Sequence, residues 1–439
     1  LDGRMMAGWG EVSLWGKGID WSDRFVLMRG EMSGGVDFGT AGEDVDLEVV
    51  DPKPTASIPI TEYVTDTDRF ANLPDNFTGQ RYPLVVNSPS KVPLIRLETG
   101  NGPDWMAGFG HDFEVTALWI DGTQHLSGSA TWGWSTKDDF DTMGVPWFGV
   151  DFTGFGTWED TFTVYATIEP KTTTPHRNAI AAIQYLIEEW SAFGPSGVNR
   201  DLFARADAKM FQPARPRIYI NGSGDQDSAD AISYVESTIC GSYPMISMVW
   251  LNGGYGPVVT DRRGEAAAKW VVGQGPILKR LTGWKETPKT ALRNWFTLRY
   301  DYDPLTNEYN GVIQRNPNNS LLCAISEEQC GPRAHNVIES KLIGTDAEAV
   351  YVADWLVAHM SIPSYYAEFE VQTWIFLLFF VSDNIDLVDD DIPRCDFDNP
   401  VRVTIDKMEY RRGRVIIGLR LWVLYDRLGG GAASAVNDS

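Results

Sequence analysis

The chain is poor in cysteine, in histidine and in positive charge. Its 439 residues hold four Cys, five His, and 37 Lys plus Arg against 60 Asp plus Glu, a formal net charge of −23. A sequence-independent nucleic-acid binder needs a positive footprint, and the chain as a whole lacks one. Cys240, Cys323, Cys330 and Cys395 are too scattered for a disulfide framework. This usage points to synthesis in a reducing cytoplasm. The Cys323–Cys330 spacing is wider than the usual metal hooks. Ordinary unpaired cysteines are one reading, and a four-thiolate site across domains is the other.

Long apolar runs are missing too. The longest, at 374–381, has eight residues, where about 20 are needed to cross a bilayer. No stable membrane insertion is expected. The opening stretch LDGRMMAGWGEVSLWG has no basic region followed by an apolar one, so no secretory leader is read there. Catalytic signatures are also absent. The nearest approach to a phosphate loop, Gly273 to Lys279, contains Pro276 and lacks the Ser or Thr. Neither G-x-S-x-G nor H-E-x-x-H occurs.

Aromatics and glycine are abundant, with 17 Trp, 16 Tyr and 42 Gly. That mix favours sheets and shaped loops over long helices. The segment 25–28 (FVLM) reads as a strand. In 44–51, Val45, Leu47 and Val49 alternate with acids. The span 37–51 carries six acids and no Lys or Arg. A solvated edge explains it, with calcium or a basic partner as alternatives. The segments 82–86 and 92–98 are expected to pair, and 113–122 to form a hairpin at Asp121-Gly122. Trp132, Trp134, Trp147 and Trp158 lie in a glycine-rich stretch. They read as core and turn aromatics, with a carbohydrate platform or a protein interface as alternatives.

Helical spacing first enters at 178–193, where Ala179, Ile183, Ile187 and Trp190 recur, with Pro175 near the start and Gly194-Pro195 as the stop. A second helix is expected over 227–239, then a hairpin in MISMVWLNGGYGPVVTD. The 307–320 stretch reads as a surface loop. A third helix spans 346–360, opened by the capping pair Thr345 and Glu348. The last elements form a hairpin in which Val401, Val403 and Ile405 oppose Ile417, Leu419 and Leu421.

Two stretches are candidates for contact. The run WIFLLFF, holding Trp374, Phe376 and Phe379, is expected to be a strand buried on both faces, covered within the chain or by an identical neighbour. The span 383–398 holds seven Asp, among them Asp389, Asp390 and Asp391. Its spacing fails the EF-hand template, and a solvated loop at a subunit boundary is expected, with a basic ring or a weakly held divalent ion as alternatives.

The expected fold class is β-rich, α+β and multi-domain, with small β-barrel and sandwich-like modules and a few short helices. The segments are 1–175, a β-rich domain; 176–262, two helices and a hairpin; 263–344, strands with a long polar loop; 345–428, a helix and closing strands; and 429–439, a flexible tail.

Six segments in this order resemble the baseplate hub, or tail-tip hub, proteins of long-tailed bacteriophages and gene-transfer agents. They are VDFGTAGEDVDLEVVDP, LPDNFTGQRYPLVVNSPSKVPLI, RNAIAAIQYLIEEW, SADAISYVESTICGSYPMISMVWLNGGYGPVVTD, TDAEAVYVADWLVAHMSIPSYYAEFEV and PVRVTIDKMEYRRGRVIIGLRLW. Val86-Asn87 replaces the family's tyrosine-glycine turn, and WIFLLFFVSDNIDLVDDD replaces its D-x-x-x-G-D-x-V continuation. The resemblance implies a non-catalytic homotrimer in the virion, at the tail baseplate or tail tip. Its partners would be distal tail, tail-tube, and fibre or spike proteins, with DNA passing through unbound. No cofactor is implied by the residues. Some relatives hold an iron–sulfur cluster, but the four cysteines here do not match a spacing for it. A tail-associated glycan hydrolase or a carbohydrate-binding attachment protein is the alternative.

Overall fold

The computed structural model describes residues 63–422, apart from 64, 99–103, 126–132, 153–162, 172–177, 192, 221–230, 252–253, 393–394 and 412–413. Before these it describes the backbone of the strands Trp9–Leu14, Phe25–Met32, Asp37–Phe38, Val45–Asp46 and Val49–Val50. The fold is mixed α+β, with mostly antiparallel sheets, one of them a curled half-barrel, and a few short helices.

Two four-stranded antiparallel sheets enclose the first core. One orders Thr123–His125, Phe113–Ile120, Val164–Pro170 and Val92–Pro93, and the other Trp134–Phe140, Pro146–Phe152, Asp104–Phe109 and Ile95–Arg96. Alternation places Phe113 and Val115 inside and, past an irregularity at 115–117, Leu118 and Ile120, against Trp105, Phe148 and Ile168. The expected hairpin forms, with Asp121 and Gly122 at φ 47° and 79°, the type I′ geometry. A Cβ on Gly149 would stand 1.9 Å from the Trp105 carbonyl oxygen, so glycine there lets the two strands close up. The expected pairing of 82–86 with 92–98 does not form. Leu84–Val86 pairs instead with Ile218–Ile220, and Val92–Pro93 and Ile95–Arg96 enter different sheets. Each is too short to bury a face alone, so distant partners decide its place.

The second core is helical on one side. Ala179–Trp190 is capped by Asn178, whose side chain accepts from the Ala181 amide. The expected second helix appears as Ala231–Tyr234, widened to π geometry at Val235–Ile239. Helices also form at Arg200–Lys209, capped by Asn199, and Leu321–Cys330, capped by Ser320, which the apolar spacing did not reveal. The hairpin Ile246–Leu251 with Gly254–Val259 forms as expected. The 307–320 stretch is not a loop throughout. Glu308–Arg315 pairs antiparallel with Phe296–Asp303, with Glu308, Asn310 and Gln314 on its exposed face. The expected capped helix is present at Asp346–Met360, with both bonds of the Thr345–Glu348 capping box. This core joins residues as far apart as Leu84, Ile183, Leu298 and Val352.

The third core lies in the curled sheet, ordered Ala268–Val271, Asn384–Val388, Val401–Arg411, Arg414–Leu421, Tyr365–Val371 and Ile277–Arg280, with Lys285–Glu286 also on Tyr365–Val371. The closing hairpin pairs Val403 with Leu421 and Ile405 with Leu419, as its pattern predicts. A bulge then carries Met408 opposite Ile417.

The WIFLLFF run is not a strand. Tyr365–Val371 ends before it, and Ile375–Leu378 turns as a short helix. Ile375 enters the third core, while Trp374 and Leu378 are 43% and 58% exposed. An apolar run without period does not distinguish strand from helix. The acidic span is not a solvated loop throughout either. Asn384–Val388 is an inner strand of the curled sheet, and Asp383 and Asp389 are buried at its two ends.

Candidate functional site

The turn after Gly254–Val259 ties two cores together. Helix Asp346–Met360 runs beside it, with Trp355 and His359 one turn apart on one face. The Trp355 indole donates to the Thr260 carbonyl at 2.6 Å. His359 Nε2 accepts from the Arg262 amide at 3.3 Å, so its Nδ1 carries the proton that reaches the Trp355 carbonyl at 2.9 Å. The imidazole stacks on Trp355 with ring centres 4.2 Å apart and meets the edge of Trp422 at 5.7 Å. Burial, reinforced by Arg262, pushes the His359 pKa down to about 3, so the ring is neutral at ordinary pH.

The same turn grips the curled sheet. Arg263 bonds both oxygens of Asp261, and the Asp261 carbonyl accepts from Asn384 Nδ2 at 2.8 Å. Thr404 donates to Asn384 Oδ1 at 2.7 Å. Burial alone would raise the Asp261 carboxyl, but Arg263 outweighs it and holds it low.

A second seam lies between helix Arg200–Lys209 and residues 380–383, around a small cleft lined by Leu202, Ala206, Val258 and Phe380. Buried Asp383 accepts from Lys209 at 2.9 Å, from Arg205 at 3.4 Å and from the Phe380 amide at 2.9 Å. The Arg205 guanidinium lies 4.0 Å from the Phe380 ring centre. Asp383 is thus committed to cations on its own chain and is a poor candidate for a reactive group.

A third feature is the tip of the hairpin formed by Trp134–Phe140 and Pro146–Phe152. Asp141 is buried there, accepting from Tyr82 at 2.7 Å, from Arg69 at 2.5 Å, and from the amides of Met143 and Val145. Burial by itself would raise its pKa, but the bonds from Tyr82, Val145, Arg69 and Met143 together hold it below the usual range. On either side of this clamp, Phe140 and Met143 are each 58% exposed.

The contact residues expected from sequence scatter. Trp134 and Trp147 are buried in the two clusters that flank their sheet and offer no stacking platform. Trp132 and Trp158 lie outside the described residues. Trp374 is exposed on the short helix, its indole bonded to Gln372. The Phe376 side chain is also outside the described residues. Phe379 is half-buried, edge-on to Trp270 at 4.8 Å. Asp389 is buried between Arg280 and the Trp284 indole. Asp390 and Asp391 are exposed, Asp391 pairing with Arg280.

The residues that sequence reasoning missed are Asp141, Phe140, Met143, Arg262 and His359. An Asp three residues before Gly144 is a turn signal that could have marked the hairpin tip. Its partners Tyr82 and Arg69 stand 59 and 72 residues away, beyond any local signal.

Among the described residues, no group of three or more His, Cys, Asp or Glu is placed to hold a metal ion. Cys323 and Cys395 lie in different cores, so the four-thiolate site does not assemble. Burial pushes the Cys240 thiol up to about 12, far from a reactive thiolate. Asp104 is raised by burial, with Asp151 and Asp139 adding to it, the direction a general acid needs, but Lys137 bonds both Asp104 and Asp139 and ties the carboxylates to a cation.

No protein-family model and no curated protein matches the chain. Nineteen chains of solved structures do. A tail protein from Neisseria meningitidis MC58 is 9% identical, covering 71% of this chain and 97% of its own, at a TM-score of 0.33. The 43 kDa tail protein of prophage MuSo2 from Shewanella oneidensis is 11% identical, covering 70% and 98%, at 0.32. Prophage tail protein gp18 from Listeria monocytogenes EGD-e is 8% identical, covering 88% and 93%, at 0.31. The chain is thus similar, at low identity, to several phage tail proteins.

Proposed function

We propose that the chain is a structural hub of a phage tail baseplate or tail tip, a homotrimer that ends the tail tube and anchors fibre or spike proteins. The observation that carries this reading is the order of six hub-like segments from 36 to 422. The clusters built around Asp141, Asp261, Asp383 and Asp389 fit such a role, since each fastens one part of the chain to another. An acidic chain also suits a wall that DNA slides past, because like charge avoids the many phosphate contacts that would stall a duplex. In this reading the exposed Trp374 turn and the acids Asp390 and Asp391 face neighbouring subunits.

The test is the mass of the assembled species. Native mass spectrometry on purified tail complexes, with the recombinant chain beside them, is expected to give three copies per tail end. A monomer from both sources would sink the hub reading.

A further inference from the structure

The strand Glu308–Arg315 has a partner on one side only. It pairs with Phe296–Asp303, and no described strand lies along its other side. At eight residues it is the longest edge strand among the described residues. Such an edge presents a row of backbone donors and acceptors, and what satisfies that row is another extended strand.

Edges are ordinarily guarded by charge, proline, a bulge or shortness. Trp134–Phe140 follows that rule with Lys137, Asp138 and Asp139, and Ile277–Arg280 with Lys279 and Arg280. Glu308–Arg315 does not. Its residues 309–314 hold no charge and no proline, and its register runs without a shift. The strand is held in place from beneath, where the Tyr300 ring lies over Gly311 and leaves no room for a Cβ. The charges around the edge are spent within the chain: Arg299 on Glu339, Asp301 on Arg217, and Arg315 on Asp354. Glu308 is the one charge on the strand's exposed face.

We infer that this edge pairs antiparallel with the same edge of a second copy, about a two-fold axis at Val312. Opposed residues of a continuous sheet share a face, so this axis sets Val312 against its own counterpart and Asn310 against Gln314 of the second copy. Val312, 55% exposed in the single chain, is then covered by an identical side chain. The amides of Asn310 and Gln314 exchange hydrogen bonds across the contact. Glu308 falls opposite Asn316 of the second copy, so no carboxylate meets another. Asn319 Nδ2 donates to the Gln314 carbonyl at 3.0 Å and closes the edge there, which limits the paired stretch to 310–314. A two-fold contact does not fit inside a three-fold ring. It joins ring to ring, or chain to chain where no ring forms, so the inference goes beyond the hub reading and does not need it.

Single cysteines in the full chain test it. Val312→Cys places a thiol on the axis. Under mild oxidation it is expected to give at least ~10-fold more disulfide-linked dimer than wild type. A cysteine at 308 stands roughly 26 Å from its copy, so Glu308→Cys stays at the wild-type level. The register is tested by charge. Asn310→Lys with Gln314→Glu keeps association, because opposite charges then meet, whereas Asn310→Lys with Gln314→Lys weakens it roughly 10-fold in sedimentation. Melting temperatures report that each variant folds. Equal crosslinking at 308 and 312, or none above wild type, overturns the inference, and so does equal association of the two charge variants. Native masses separate it from the hub reading. Threes without even multiples leave the hub standing and remove the edge contact. Twos without threes keep the edge contact and remove the hub, and sixes support both.

Discussion

The Arg262 guanidinium lies 5.0 Å from the centre of the Trp422 ring, so a turn leaving the second core is capped by the residue that follows the third core's last strand. His359 touches both, accepting from the Arg262 amide and meeting the Trp422 ring at 5.7 Å. This small cluster makes two separately built cores behave as neighbours with a defined contact.

Trp422→Ala is therefore expected to cost roughly 3–5 kcal/mol, because it removes a buried indole. Arg262→Ala combined with it should show a coupling of about 0.5–2 kcal/mol in a double-mutant cycle read by urea unfolding. Strict additivity would mean the contact has no energetic weight.

The His359 ring gives the junction a pH dependence. Its folded pKa of about 3 lies below the ordinary histidine value. Between roughly pH 6.5 and 3 the unfolded chain therefore binds a proton that the folded chain refuses, so stability falls on acidification at about 1.4 kcal/mol per pH unit from this group. His359→Gln should flatten that slope. Urea midpoints across this range, in both proteins, would show it; parallel slopes would remove His359 as the source.

Asp141→Asn is expected to cost about 2–4 kcal/mol, because it leaves Arg69 without its charged partner and weakens the bonds from Tyr82 and the turn amides. The wild-type contribution is fully present above the ordinary carboxyl pKa, about 4, and is lost as pH falls through the depressed folded value. Hydrogen exchange at the Met143 and Val145 amides should quicken in the variant. Unchanged exchange would mean the tip is held by other contacts.

The buried Glu348 does more than cap its helix. It accepts from the amides of Arg215, Gly344 and Thr345, and from the hydroxyls of Thr345 and Tyr243. Thr345→Ala should cost about 1 kcal/mol, as a lost cap does. Glu348→Ala should cost about 3 kcal/mol or more, since several buried donors lose their acceptor together. Equal costs, measured by thermal unfolding, would reduce Glu348 to its capping role.

Local chemistry was legible from sequence wherever neighbours along the chain decide the structure. The capping pair Thr345 and Glu348, the Asp121-Gly122 hairpin and the alternation of Val403 and Ile405 needed no distant partner to be read. Composition likewise argued for sheets, and the shortness of the longest apolar run argued against a membrane-spanning helix; no described helix is long and apolar enough to be one. The tertiary structure decided everything that depends on which distant segments meet. It placed Leu84–Val86 on Ile218–Ile220, turned WIFLLFF into a short helix where its sheet had ended, and buried Asp383 and Asp389 beside cations. Trp134 and Trp147 are buried, as their reading as core aromatics has it, and the structure put the exposed apolar surface of that hairpin on Phe140 and Met143. The physical reason is that periodicity reports one face of one element, whereas burial and pairing are properties of two surfaces brought together.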